Sequence, residues 1–132
     1  MARFVESFVA TNAGDLVTAI NTFLATLTNP TIRGVNFSVV RCDGRIGDEY
    51  SVVLRYDDGG AVLATTFLVR IDEAPILETA NTALQTFLTA NAAYFVNGGN
   101  LQMVDGEQTF RKFSILTVYN TTGGASANYL PL

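Results

Sequence analysis

Ile20-Asn21-Thr22-Phe23-Leu24 is followed, 64 positions later, by Leu84-Gln85-Thr86-Phe87-Leu88. Ile20 matches Leu84, Thr22 matches Thr86, Phe23 matches Phe87 and Leu24 matches Leu88, which predicts two helices with the same buried positions. The first starts at Asn12, an N-cap with acidic Asp15 three positions on. Leu16, Ile20, Phe23, Leu24 and Leu27 then fall on one face, and Asn29-Pro30 ends the run because the residue before proline is pushed out of helical angles. The second is predicted to start at Glu73-Ala74-Pro75, with proline in its first turn. Its stripe is Leu77, Ala80, Leu84, Phe87 and Leu88, and it ends near Asn91.

Strand patterns flank both helices. Phe4 to Ala10 is a short β-rich run, and Val35, Phe37 and Val39 alternate with polar residues up to about Cys42. Tyr50, Val52, Leu54 and Tyr56 alternate in the same way, and Asp57-Asp58-Gly59-Gly60 signals a hairpin into Ala61 to Ile71. Three strands in succession predict an antiparallel meander. The third is apolar on both faces, as a central or doubly covered strand would be. After the second helix come an apolar segment Ala92 to Val96, a flexible Asn97-Gly98-Gly99-Asn100 and Leu101 to Val104. The turn Asp105-Gly106 and a last strand from Phe110 to Tyr119 follow. At an offset of 62 to 63, Asp43-Gly44 meets Asp105-Gly106, Tyr50-Ser51-Val52-Val53 meets Phe113-Ser114-Ile115-Leu116, and Tyr56 meets Tyr119.

Each half therefore reads β-α-β-β. The expected fold is α+β: one domain over 1–119, built from repeat units 1–60 and 61–119, with about eight strands in a mainly antiparallel sheet layer packed by two helices. Residues 120–132 have no period and read as a C-terminal arm. Sheet edges are expected to stay open to another subunit, because the single lysine, Lys112, leaves few charges to block them.

Composition narrows the chemistry. There is no histidine, and Cys42 is the only cysteine, which removes Ser-His-Asp, Cys-His and His-metal sites and any internal disulfide. A net charge of -4 with scattered cations opposes non-specific nucleic-acid binding. The longest apolar stretch, Ala61 to Val69, has nine residues, against the ~20 of a membrane helix. Glu6 interrupts the apolar run a secretory signal would need, so the whole chain is read as mature protein. Charged residues are 15% of the chain, below the roughly 25% of an average domain. In their place stand 16 Thr and 10 Asn, a neutral polar surface that another protein covers at little desolvation cost.

The candidate sites are few. Asp43, Asp48 and Glu49 around one turn, with Asp57 and Asp58 in the next, offer oxygen ligands for a hard cation but fit no calcium-loop spacing. Turn chemistry accounts for Asp beside Gly, and the two turns should lie at opposite ends of the sheet. Cys42 has Arg41 and Arg45 nearby to lower its pKa, although a half-buried strand cysteine is the simpler reading. Asn97-Gly98-Gly99-Asn100 and Gly123-Gly124 lack the context of a phosphate loop. Tyr50, Tyr56 and Tyr119 would line a ligand pocket if the chain were a small-molecule-binding domain, although alternating aromatics in strands are usually core or cross-strand pairs. Neither a catalytic residue, a cofactor nor a metal is assigned. Tyr129, Leu130 and Leu132, with Pro131 between them, place apolar side chains on a glycine-linked tether and are assigned to partner binding.

Small size, Thr/Asn/Ala/Gly richness, near absence of lysine and an apolar terminal arm together resemble the structural proteins of tailed-bacteriophage particles. These include capsid decoration (cement) proteins and small tail or connector components. The resemblance implies a non-enzymatic virion protein, assembled in the host cytoplasm. Its implied partners are the major capsid protein, other virion proteins and further copies of itself. Removing Tyr129 to Leu132 is expected to weaken association with particles, measured by co-sedimentation, and equal binding by the truncated chain would remove the arm's assigned role.

Overall fold

Asn12 caps the first helix as its sequence predicts. Its side-chain oxygen accepts the Asp15 N–H at 2.8 Å, pairing one of the N–H groups that a helix start leaves without a partner. The computed structural model describes residues 3–27, 30–41, 48–58, 66–104 and 111–121. Along them run β1 (Arg3–Ala10), α1 (Ala13–Thr26), β2 (Thr31–Arg41) and β3 (Asp48–Asp57), and then β4 (Phe67–Ala74), α2 (Leu77–Ala90), β5 (Phe95–Val104) and β6 (Lys112–Asn120). The fold is α+β, with two β-α-β-β units in tandem.

Each unit forms its own three-stranded antiparallel sheet, ordered β1-β3-β2 in the first and β4-β6-β5 in the second. In both, the third strand inserts between the first two. The units agree in detail. A bulge falls between Ile32 and Gly34 in β2 and between Val96 and Gly98 in β5, 64 positions later. Arg3 and Thr31 are both aligned with Asp57, while Phe67 and Phe95 are both aligned with Asn120, so the third strands correspond at an offset of 63. The Arg33–Asp57 ion pair at 2.8 Å is matched by an Asn120–Asn97 hydrogen bond at 3.0 Å at the equivalent positions.

Several expectations are corrected. The meander stops at β3, because β1 and β2 already occupy both of its edges, so β4 begins a second sheet. The described residues hold six strands, not eight. Asn97-Gly98-Gly99-Asn100 is no flexible connection. It lies inside β5, where a side chain at Gly99 would place its Cβ 2.8 Å from the Leu116 carbonyl oxygen. Glu73, Ala74 and Pro75 precede α2, whose N-cap is Ile76 with no side-chain cap. The last strand takes in Asn120. Cys42, Asp43, the Gly59-Gly60 turn, Gly123-Gly124 and the arm residues Tyr129, Leu130 and Leu132 lie outside the described residues.

The units pack face to back. Tyr50, Val52, Leu54 and Tyr56 of β3 share the α1 side of the first sheet with Phe37 and Val39 of β2. That side meets Val69, Val104, Leu116 and Val118, which lie on the face of the second sheet opposite α2, and all of them join one core. The helix α1 lies inside this joint, with Leu16, Ile20 and Leu24 at 0%, 1% and 6% exposure. Burying each such side chain contributes about 1.5–3 kcal/mol. β4 is an edge strand, but its open edge is covered by α1: the Asn21 amide donates to the Val69 carbonyl at 3.1 Å and accepts the Val69 N–H at 2.8 Å. One side chain thus satisfies both backbone groups of an edge residue.

Asn21→Ala is expected to cost about 1–3 kcal/mol, because it strands two backbone groups in a covered joint. Gln85→Ala, on the exposed equivalent position of α2, is expected to stay within about 0.5 kcal/mol. Urea unfolding in dilute solution measures both, and equal losses would contradict the edge-covering role.

Candidate functional site

The joint between the units holds the densest group of ionisable side chains among the described residues. Lys112, at the start of β6, donates to the Asp48 carboxylate and to the Tyr50 hydroxyl, both on β3 of the other unit. Asp48 also accepts from Arg41 at 3.0 Å. The Tyr50 hydroxyl donates to Glu73 of β4 at 2.5 Å, and Ser114 donates to the same carboxylate oxygen at 2.6 Å. Two cations and two carboxylates therefore balance inside one network.

Their protonation is held in place. Burial favours the neutral form of Asp48, yet hydrogen bonds from Arg41 and Lys112 keep its carboxyl below the usual range. Burial likewise disfavours the Lys112 ammonium, but Asp48, Tyr50 and Glu73 hold it above its ordinary value. Burial and the hydrogen bond to Glu73 push the Tyr50 hydroxyl up to about 12. A lysine nucleophile or a general acid working near neutrality needs shifts of the opposite sign. The arrangement clamps two sheets in register.

The other candidates are spread apart. Asp48 and Asp57 end β3 nine residues apart, about 30 Å along a strand, and each has an arginine partner, Arg41 and Arg33 respectively. Glu49 is exposed on the opposite face of β3 from Asp48. Among the described residues, no three acidic or cysteine side chains converge as metal ligands would, and no helix is long and apolar enough to cross a membrane. The three tyrosines do not share a pocket. Tyr56 stacks on Phe4 at 5.4 Å and meets Phe23 edge-on. Tyr119 lies against Tyr94 at 5.6 Å and Phe87 at 5.2 Å under α2. Tyr50 belongs to the ionic network. Each ring fills core.

What the sequence reading missed are two open sheet faces, at opposite ends of the stack, that carry exposed apolar side chains. The back of the first sheet, away from α1, exposes Val5, Val9 and Val40 at 65%, 67% and 54%. The α2 side of the second sheet exposes Val96, Leu101 and Met103 at 41%, 49% and 51%. Two open grooves run along this second face. One, of about 600 Å³, is lined by Ile76, Arg111 and Phe113 among others. The other, of about 310 Å³, is lined by Leu77, Gly99, Leu101 and Ile115 among others. The signal was present as valine on one face of β1 and phenylalanine on the other, but alternation alone cannot say which face is covered.

The clamp has an alkaline limit. Tyr50 and Lys112 are both raised in the folded chain, so their contribution is complete below their unfolded values and is lost as pH rises through the folded ones. Stability is expected to fall as pH rises from about 10 to about 12. Tyr50→Phe should flatten that fall in urea-midpoint measurements, and an unchanged alkaline slope would contradict the assignment. Asp48 acts at the other end: its lowered value makes stability drop as pH falls through the acid range.

No family model, curated protein or solved structure matches this chain.

Proposed function

We propose that the chain is a non-enzymatic structural or assembly protein of a virion, of the capsid decoration (cement) type, with a small tail or connector component as its nearest variant. Its work is to cover and join protein surfaces, with the major capsid protein or other virion proteins as partners. The observation that carries this reading is the pair of open sheet faces bearing exposed valine, leucine and methionine side chains, on a chain whose densest ionic cluster is locked in charge-balanced pairs. A small domain gains solubility from polar outer faces, and large apolar side chains left exposed on an open sheet face are suited to contact with another protein. Contact patches of about 800 Å² per partner make stable interfaces, and repetition around a shell multiplies weak ones. The resemblance in composition to phage structural proteins points the same way.

The test is addition of the purified full chain to particles that lack it. The chain is expected to co-sediment with them at saturable stoichiometry and to raise the temperature at which they break open. A chain that remains in the supernatant at all concentrations, with particle stability unchanged, would overturn the proposal.

A further inference from the structure

We infer that the α2 face of one chain receives the back of the first sheet of a second copy, so that copies join head to tail through the geometry that already joins the two units within one chain. This stands on the repeat itself, goes beyond the virion reading and names the first partner such a protein would meet.

The joint inside the chain is unsymmetrical. The α1 side of unit one is filled by the back of unit two, which leaves the α2 side of unit two and the back of unit one without a counterpart. The exposed valines, leucine and methionine fall on those two leftover faces. Five of these six stand where the internal joint has core, and the sixth, Val9, is equivalent to Glu73 of the ionic network. Leu101 and Met103 are equivalent to Phe37 and Val39, which are 5% and 6% exposed, and Val96 is equivalent to Ile32 at 1%. On the opposite side, Val5 and Val40 are equivalent to Val69 and Val104, at 3% and 5%. The helices show the same shortage: Ile20 and Leu24 are buried in α1, whereas Leu84 and Leu88 are only half-buried in α2.

The polar contacts carry over too. Within the chain Asn21 holds the backbone of Val69, and the equivalent pair is Gln85 on α2 with the backbone of Val5 on the open edge of a second copy's β1. The Asn100 amide donates to the Val35 carbonyl at 3.2 Å, and the equivalent pair is the second copy's Asn36 with the Gly99 carbonyl. Lys112 pairs with Asp48 across the internal joint. At the equivalent positions stand Glu49, exposed on the back of unit one, and Arg111, exposed beside α2. Across a joint between copies these two would face each other with the signs of the internal pair reversed. Three amide or ionic contacts of the internal joint each have a chemically competent counterpart at the equivalent surface positions.

A joint of this kind is heterologous, so it closes into a ring or runs on as a filament. The experiment uses the full chain, with light scattering after size exclusion over a range of concentrations. Wild type is expected to assemble with rising concentration. Leu101→Asp spoils the α2 face and Val40→Asp spoils the back face, each raising the dissociation constant by at least about tenfold. Both positions are exposed, so circular dichroism should show each variant folded. Mixed together, the two variants retain one good joint and are expected to form a 1:1 dimer that grows no further. Glu49→Arg and Arg111→Glu are each expected to weaken assembly, and the double exchange to restore it. A wild-type monomer at all concentrations, a two-fold dimer that mixing fails to rescue, or assembly indifferent to these changes would overturn the inference. A chain that stays monomeric yet binds particles would overturn this joint alone and leave the assembly role standing.

Discussion

A three-stranded sheet with a single helix can cover only one of its two faces, and the architecture of this chain follows from that shortage. The second unit supplies its bare back to the helix side of the first, so one interface buries both surfaces. As a result α1 becomes a core helix with Leu16, Ile20 and Leu24 out of solvent, while α2, with the same stripe, stays a surface helix whose one fully buried residue is Ala80. Equivalent sequences thus have unequal burial because their positions in the stack differ.

Apolar packing brings the sheets together but tolerates sliding; directional contacts set where they stop. Asn21 can satisfy Val69 at one position along β4, and Lys112 can reach Asp48 and Tyr50 only when β6 stands opposite β3 in a single register. The ionic network is charge-balanced and hydrogen-bonded, the condition under which partly buried charges are tolerated. Its value is specificity of alignment more than net stability. The chain's single lysine is spent at this joint.

Much of the fold was legible because its signals are local. Asn12 capping, the leucine stripes and the 64-residue recurrence depend on spacing along the chain, and even the one-residue difference for the third strands, seen as Tyr56 against Tyr119, is written in the strand register. Expectations failed where the outcome depended on partners distant in sequence. An apolar run after β3 looks like a third meander strand whether or not β3 has a free edge. Gly98-Gly99 looks like a loop unless Leu116 is known to pass close by.

Taken alone, the amino-acid order determined the capped start of α1 at Asn12, the twofold recurrence, the α+β class and the absence of histidine, because each rests on residue type and short-range periodicity. Tertiary structure decided which of two alternating strand faces is core and which is left bare, since both faces of β1 and β5 carry some large apolar side chains and only the placement of the other unit separates them. The lone lysine's role was settled in the same way: a charge is neutralised or exposed by what folds against it, and Asp48 lies 64 residues away.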